Sequence, residues 1–435
     1  AVSTVRPDAV TSTVLAHGLG GSSDLPIPLT YALIGAAWAL TFTFAVVALA
    51  WRKPRFDPEA PGRPLPRWVT TAVDAPATRW AVGLLALAFA GWVAVVSVAG
   101  PSGSGNPLPG VFYVLLWVGI VALSVLFGPV WRVLSPVRTI ARLLRLSRDA
   151  YPAQLGYWPA AAGLFAFVWL ELASPDPGSV GAVRIWLLIY FCVTLAGAAA
   201  CGTRWCSHAD PFEVYSVVAS RCAPVRRNAD GRIAVGNPFN HLPTLPIRPG
   251  TVTVLAVLLG STAFDSFSAT PTWRGVVEAH AHGGWQVTAM KTVGLAVFVT
   301  TVAVSFSLAA CATGGVDRAR RRQLPGLLAH SLIPIVIGYV FAHYLTYLVE
   351  KGQQTVFQLL GLHDAHVYYL LSKHPSLLAT TKVLFVVAGH IAGVVAAHDC
   401  ALRVLPKRHQ LTGQLAMMLV MVGYTFTGLY LLFGG

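Results

Sequence analysis

The sequence from Leu324 to Val349 reads LPGLLAHSLIPIVIGYVFAHYLTYLV and contains no Asp, Glu, Lys or Arg. An α-helix needs about 20 mostly apolar residues to cross the roughly 30 Å hydrocarbon core of a bilayer. This stretch is long enough to do so. Four arginines lie immediately before it, at Arg318, Arg320, Arg321 and Arg322. The pattern therefore predicts a transmembrane helix that begins beside a basic loop.

Similar apolar stretches recur along the chain. Hydrophobic residues make up 55% of the 435 residues and charged residues only 11%, whereas soluble domains are about 25% charged. We therefore predict an all-α, polytopic integral membrane bundle with about ten transmembrane helices. The predicted spans are residues 29–51, 80–100, 110–132, 157–173, 180–201, 251–269, 290–313, 324–349, 376–403 and 411–433.

The charges between these spans predict how the chain is oriented. Cytoplasmic loops of membrane proteins are enriched in Lys and Arg, and basic loops here alternate with loops that contain few Lys or Arg residues. This places both termini outside the cytoplasm, with an extracytoplasmic segment at residues 1–28 and a single transmembrane domain at 29–435. The loop 202–250 is then cytoplasmic, and the loops 270–289 and 350–375 lie outside.

The same alternation accounts for the net charge of +14. Anionic lipid headgroups attract basic residues near the membrane, so the surplus requires no nucleic-acid partner. The high ratio of Arg to Lys and the many Ala and Val residues suggest a GC-rich bacterial genome. We therefore expect a multi-pass protein of the bacterial cytoplasmic membrane, in contact with lipid and with room for other membrane subunits.

Ionisable residues inside the predicted spans are candidate functional residues, because each costs roughly 2.5–3.5 kcal/mol at the centre of a membrane helix. They suggest a polar path for a small ion. The candidates along it are Glu171, Asp265, His343, Glu350, Lys382, His390, His330, His398 and Asp399. A purely structural interpretation stays open, in which Lys382 reaches the interface, Asp399 pairs with Arg403 and the histidines are satisfied by hydrogen bonds.

Helical spacing places several of these residues on shared faces, since residues three, four and seven apart lie on one side of a helix. Tyr339, His343 and Glu350 form such a stripe, and Ser261, Asp265 and Ser268 form another. Two stripes at similar depth predict a polar cavity open to the outside. The alternative is interhelical hydrogen bonding that holds the bundle together.

Candidate metal ligands are frequent in the loops, and the chain contains 13 histidines. Histidine and cysteine suit zinc or copper. The outer candidates are His17, His280, His282, His363, Asp364 and His366, and the inner candidates are Cys201, Cys206 and His208. We expect the pair His280 and His282 to approach the pair His363 and His366. Ordinary loop histidines that bind nothing are the alternative.

Three functions remain open from the sequence. The first is transport of a cation, either a proton or a divalent or monovalent transition metal, through the His/Asp/Glu path. The second is a membrane electron-transfer or quinone-binding subunit with b-type haem between His343 and His390. The third is a non-catalytic scaffold for a membrane complex. Nucleotide-binding and common hydrolase motifs do not occur, so we expect no nucleotide and assign no enzymatic reaction.

Overall fold

The structure is a computed structural model that describes residues 24–103, 105–146, 148, 150–313, 315–362 and 364–433. Its helices follow one another in this order: α1 (Leu29–Ala50), α2 (Arg67–Asp74), α3 (Pro76–Ala99), α4 (Leu108–Phe127), α5 (Trp131–Leu134), α6 (Pro136–Leu143), α7 (Trp158–Leu172), α8 (Val180–Cys201), α9 (Thr203–Ala209), α10 (Pro211–Ala219), α11 (Pro238–His241), α12 (Thr251–Ser268), α13 (Pro271–His280), α14 (Gly284–Cys311), α15 (Arg318–Leu359), α16 (Pro375–Val404) and α17 (Thr412–Phe433). Among the described residues, nine helices are long and apolar enough to cross a membrane, namely α1, α3, α4, α8, α12 and α14 to α17.

The remaining predicted span, residues 157–173, is not one of these nine helices and corresponds to the shorter helix α7. Its 15 residues cover roughly 22 Å at 1.5 Å per residue, less than a full hydrocarbon core. It nevertheless connects opposite ends of the bundle. At one end the Tyr157 amide donates to Pro249, and at the other the Tyr113 hydroxyl donates to Pro177.

The arginine-rich segments meet at one end of the bundle. Arg55 donates its amide to Asp399, Tyr157 donates to Pro249, and Thr313 donates to the carbonyl of Gly413. We call this end the basic end and the other the arginine-poor end. The contacts agree with the predicted alternation of the loops, and the assignment of the basic end to the cytoplasm stays a prediction.

A small antiparallel sheet lies at the basic end and was not predicted from the sequence. Its strands are β1 (Arg63–Pro64), β2 (Val225–Arg227) and β3 (Ile233–Val235), in the order β1-β3-β2. Strands of two or three residues are too short to show an alternating pattern of apolar and polar residues, so they could not be predicted. The sheet joins the segment after α1 to the segment after α10.

The segment that follows α8 folds back into the bundle as a helical hairpin. Gly202 makes the turn with φ of +67°, a conformation that favours glycine. Helix α9 then returns along α8, where Trp205 packs so closely on Gly197 that a Cβ there would lie 2.0 Å from its ring. Helix α10 follows, and all nine of its residues are buried against α4 and α7. The first part of the predicted loop 202–250 is therefore an internal element.

Helices α15 and α16 pack through glycines, which allow their backbones to approach closely. A Cβ on Gly338 would lie 2.5 Å from the carbonyl oxygen of Phe385, and a Cβ on Gly389 would lie 2.6 Å from that of Pro334. Helix α15 is irregular, with a 3₁₀ turn at Ala329–Leu332 and a π-helical turn at Tyr347–Lys351. It carries His343 into the centre of the bundle.

Candidate functional site

A buried acid–imidazole pair lies in the arginine-poor half of the bundle. Asp265, near the end of α12, is 2.7 Å from His343 on α15, measured from Oδ2 to Nε2. Both side chains are only 2% exposed. The Tyr344 hydroxyl also donates to Asp265 Oδ2, at 3.2 Å. The structure therefore joins the two polar stripes of the sequence through Asp265 and His343, which were predicted to face a shared protein interior.

A second carboxylate lies close to this pair. Glu171, in the last turn of α7, is near enough to Asp265 for their charges to interact. Its Oε2 atom is buried and has no hydrogen-bond partner among the described residues. Hydrogen-bonding capacity left unused in a buried carboxylate is costly, so this atom points to a proton, a water or an ion. We call Glu171, Asp265 and His343 the outer cluster.

Helix α10 brings a tyrosine toward the outer cluster. Tyr215 is fully buried, and its ring packs on Trp117 with centroids 4.7 Å apart. Its hydroxyl lies within electrostatic range of Glu171 and has no hydrogen-bond partner in the described part of the chain. Tyr215 was not predicted as a site residue, because its segment was assigned to a cytoplasmic loop and not to the interior of the bundle.

A further buried carboxylate lies at the start of α10. Asp210 is fully buried and accepts a hydrogen bond from Trp131 Nε1 at 3.1 Å and from the Tyr190 hydroxyl at 3.1 Å. It also caps α10 by accepting from the Phe212 amide at 3.0 Å. The hairpin thus holds an acid at its tip, among aromatic residues of α5 and α8.

One turn further along α10, Glu213 forms a buried ion pair. Arg138 Nη2 lies 2.7 Å from Glu213 Oε1, and the carboxylate is fully buried. Arg138 Nη2 also donates to Ser207 at 2.8 Å, so the pair joins α6 to both arms of the hairpin. We call Asp210, Glu213 and Arg138 the inner cluster.

The histidines predicted for the middle and basic part of the path make local contacts. His390 is fully buried, and its Nδ1 lies 2.8 Å from the Val386 carbonyl of its own helix. His330 similarly contacts the Leu327 carbonyl at 3.0 Å. His398 lies between Gln414, at 2.9 Å, and the Trp51 carbonyl. These contacts match the structural interpretation of the histidines, although His390 Nε2 has no partner among the described residues.

Three other predicted path residues also have local partners. Asp399 pairs with Arg403 at 2.6 Å, as the structural interpretation expected. Glu350 accepts hydrogen bonds from the amides of Leu371 and Ser372, each at 2.9 Å, and so anchors the loop after α15. Lys382 is fully buried, and the carboxylate of Asp24 lies within electrostatic range of it.

The predicted metal ligands do not form a metal site in the described part of the chain. No group of three His, Cys, Asp or Glu side chains lies close enough there to hold an ion. His280, His282, Asp364 and His366 are exposed. His17 and His363 lie outside the described residues, so the predicted approach of the two outer histidine pairs stays a prediction.

The inner thiol group is also not assembled as a site. Cys206 is fully buried and Cys201 is partly exposed. His208 stacks on Tyr151 with ring centroids 4.9 Å apart, and its Nδ1 contacts the Arg204 carbonyl at 2.8 Å. Burial lowers the pKa of His208.

The residues proposed for haem do not face each other across a space for a porphyrin. His343 directs Nε2 to Asp265, and helices α15 and α16 touch through Gly338 and Gly389. Axial imidazoles must instead direct a ring nitrogen at the iron from either side of the macrocycle. The described geometry therefore does not fit haem between His343 and His390.

Comparison with protein-family models, with curated proteins and with solved structures finds no match to this chain. Functional inference consequently rests on the outer and inner clusters.

Proposed function

We propose that this protein conducts protons across the membrane, through the outer cluster and then along α10 to the inner cluster. The observation that carries the proposal is that one fully buried helix reaches both clusters. Asp210 caps α10 and Glu213 lies in its first turn, and the Tyr215 hydroxyl is within electrostatic range of Glu171. Ionisable groups inside a membrane are costly, and chains of Asp, Glu and His mark proton relays in pumps and transporters.

The chemistry of the outer cluster suits a proton better than a metal ion. His343 and Asp265 share one short hydrogen bond, so a proton arriving at this pair can be held between nitrogen and oxygen without an unpaired charge remaining. The lack of a three-ligand group among the described residues gives a transition metal less support.

The proposed route differs from the sequence prediction in its inner half. The sequence suggested passage along α15 and α16 through His390, His330 and His398. Those side chains contact carbonyl or amide groups nearby, whereas α10 offers two buried carboxylates and the Tyr215 hydroxyl. The route along α10 is therefore the better supported one.

Proton flux into lipid vesicles tests the proposal. The full chain is reconstituted with a pH-sensitive dye inside, and a potassium diffusion potential drives protons inward. We expect the protein to acidify the vesicles faster than protein-free vesicles, and Asp265→Asn and Asp210→Asn to abolish the difference. Both substitutions keep the size of the side chain and one acceptor oxygen, which favours folding.

Asp176→Asn is the matched control, because Asp176 is exposed at the arginine-poor end and should leave the flux unchanged. The proposal would be refuted by wild-type flux equal to that of empty vesicles. It would equally be refuted by unchanged flux in both Asp265→Asn and Asp210→Asn.

A further inference from the structure

An apolar groove of about 660 Å³ opens between α3, α4 and α8. This volume lies in the range of pockets that hold small organic ligands, roughly 300–1,000 Å³. Phe89, Leu123 and Leu188 line it and are each at least 40% exposed, so the groove opens sideways, toward the surface that faces lipid. An apolar chain could therefore enter it directly from the membrane.

The groove is long enough to hold an extended chain. Its lining on α4 runs from Leu108 to Leu123, a rise of roughly 22 Å at 1.5 Å per residue. Half of the hydrocarbon core is about 15 Å. A chain that enters near the arginine-poor end and follows the groove would therefore extend past the middle of the membrane.

A single positive charge lies at the arginine-poor end of the groove. Arg184, in the second turn of α8, lines the groove and donates from Nη2 to the carbonyl of Ser97. Its Nε atom is buried and has no hydrogen-bond partner among the described residues. Within the same part of the chain, no carboxylate forms an ion pair with it.

The opposite end of the groove is closed by aromatic rings. Trp131 and Tyr190 line it, and both direct their polar atoms away from it to Asp210, at 3.1 Å each. The deep end therefore presents apolar ring surface, and Arg184 is the charged group of the lining. This polarity matches a molecule with an anionic head and an apolar tail.

We infer that the groove binds a phospholipid, with its phosphate on Arg184 and one acyl chain between α3 and α8. Guanidinium groups bind phosphate oxygens through charge-assisted hydrogen bonds, and Arg184 is the cation that the groove lining presents to a phosphate. The proposal is independent of proton conduction, since neither Arg184 nor the groove belongs to the outer or inner cluster.

Native mass spectrometry of the purified full chain, titrated with dioleoylphosphatidylglycerol or dioleoylphosphatidylcholine, tests the inference. We expect the anionic lipid to bind roughly fivefold more tightly than the zwitterionic lipid, the effect of about one basic residue near a membrane surface. Arg184→Gln should remove this preference. Arg274→Gln is the control, because Arg274 is exposed on α13 at the same end of the bundle.

A second pair of variants tests the groove without changing its charge. Ala90 lines the groove, so Ala90→Trp should fill it and prevent binding of both lipids. Ala88→Trp places the same ring on the exposed surface of α3 and should have no effect. The inference fails if Ala90→Trp and Arg184→Gln bind the anionic lipid like the wild type, which would indicate annular lipid only. It also fails if the purified protein carries a quinone in the groove instead of a phospholipid.

Discussion

Removal of Arg138 should destabilise the protein strongly, because it leaves the carboxylate of Glu213 buried without its partner. Glu213 is fully buried and contacts Arg138 through Nη2 at 2.7 and 2.8 Å and through Nε at 3.0 Å. Arg132 is the other nearby cation, but it lies at 3.5 Å and is 50% exposed. It cannot replace three short bonds.

The size of the effect follows from burial. Breaking one partner of a buried ion pair costs about 3–5 kcal/mol, whereas an exposed pair contributes about 0–1 kcal/mol. We therefore expect Arg138→Met to lower the free energy of unfolding by about 3–5 kcal/mol. Arg227→Met should lower it by less than about 1 kcal/mol, although Arg227 lies only 2.6 Å from Asp74, because that pair is exposed.

The double variant separates the cost of an unpaired charge from the value of the pair. Replacing both members of a buried pair by apolar side chains is often neutral or stabilising, so Arg138→Met/Glu213→Met should be more stable than Arg138→Met alone. Unfolding of the purified protein in mixed micelles, followed by circular dichroism as the denaturing detergent increases, measures the wild type and all three variants. Wild-type stability in Arg138→Met, or a double variant less stable than that single variant, would show that Glu213 does not carry an unpaired buried charge.

Further predictions concern packing, pH and topology. Gly428→Ala should cost about 1–3 kcal/mol, because its Cβ would overlap a tyrosine hydroxyl, whereas Gly423→Ala has no atom within 4 Å and should be neutral or stabilising in the same unfolding assay. Burial between arginines lowers the pKa of His241 to about 4, so the unfolded chain binds more protons below about pH 6.5. The free energy of unfolding should then fall as pH drops from about 6.5 to 4. In thermal unfolding curves, His241→Gln should make the melting temperature depend less on pH over this range. Cysteine introduced at Asp230 should be labelled from the cytoplasmic side and cysteine at Ser102 from the other side, and the reverse pattern would contradict the topology.

The long helices could be predicted because crossing a membrane imposes one simple requirement on the sequence. A run of about 20 apolar residues satisfies that requirement whatever it packs against, so α1 or α3 is visible without knowledge of its neighbours. The hairpin α9–α10 does not meet this requirement, so it could not be recognised in the same way. Its helices have seven and nine residues, and the charges of Asp210 and Glu213 lower its hydropathy.

The candidate site was predictable where two residues lie on clear helical stripes. Asp265 and His343 were expected to face a shared interior, and they are in contact. His390 was expected in the same path, yet its helix meets α15 through glycines and its imidazole bonds to Val386. Helical period gives the face on which a residue lies. It does not give the neighbour that this face meets, which depends on packing across the whole bundle.

The short helix α7 is consistent with a path along α10. Gly163 of α7 lies against Pro211, so a Cβ there would be 2.9 Å from the proline ring, and Glu171 lies eight residues further along α7. At 1.5 Å per residue, the start of α10 and Glu171 are separated by about 12 Å along the helix axis. Asp210, directly before Pro211, and Glu171 therefore lie at depths that differ by much less than the roughly 30 Å hydrocarbon core. The Tyr215 hydroxyl of α10 lies within electrostatic range of Glu171, which makes Tyr215 the residue whose replacement by Phe should interrupt proton flux without removing any charge.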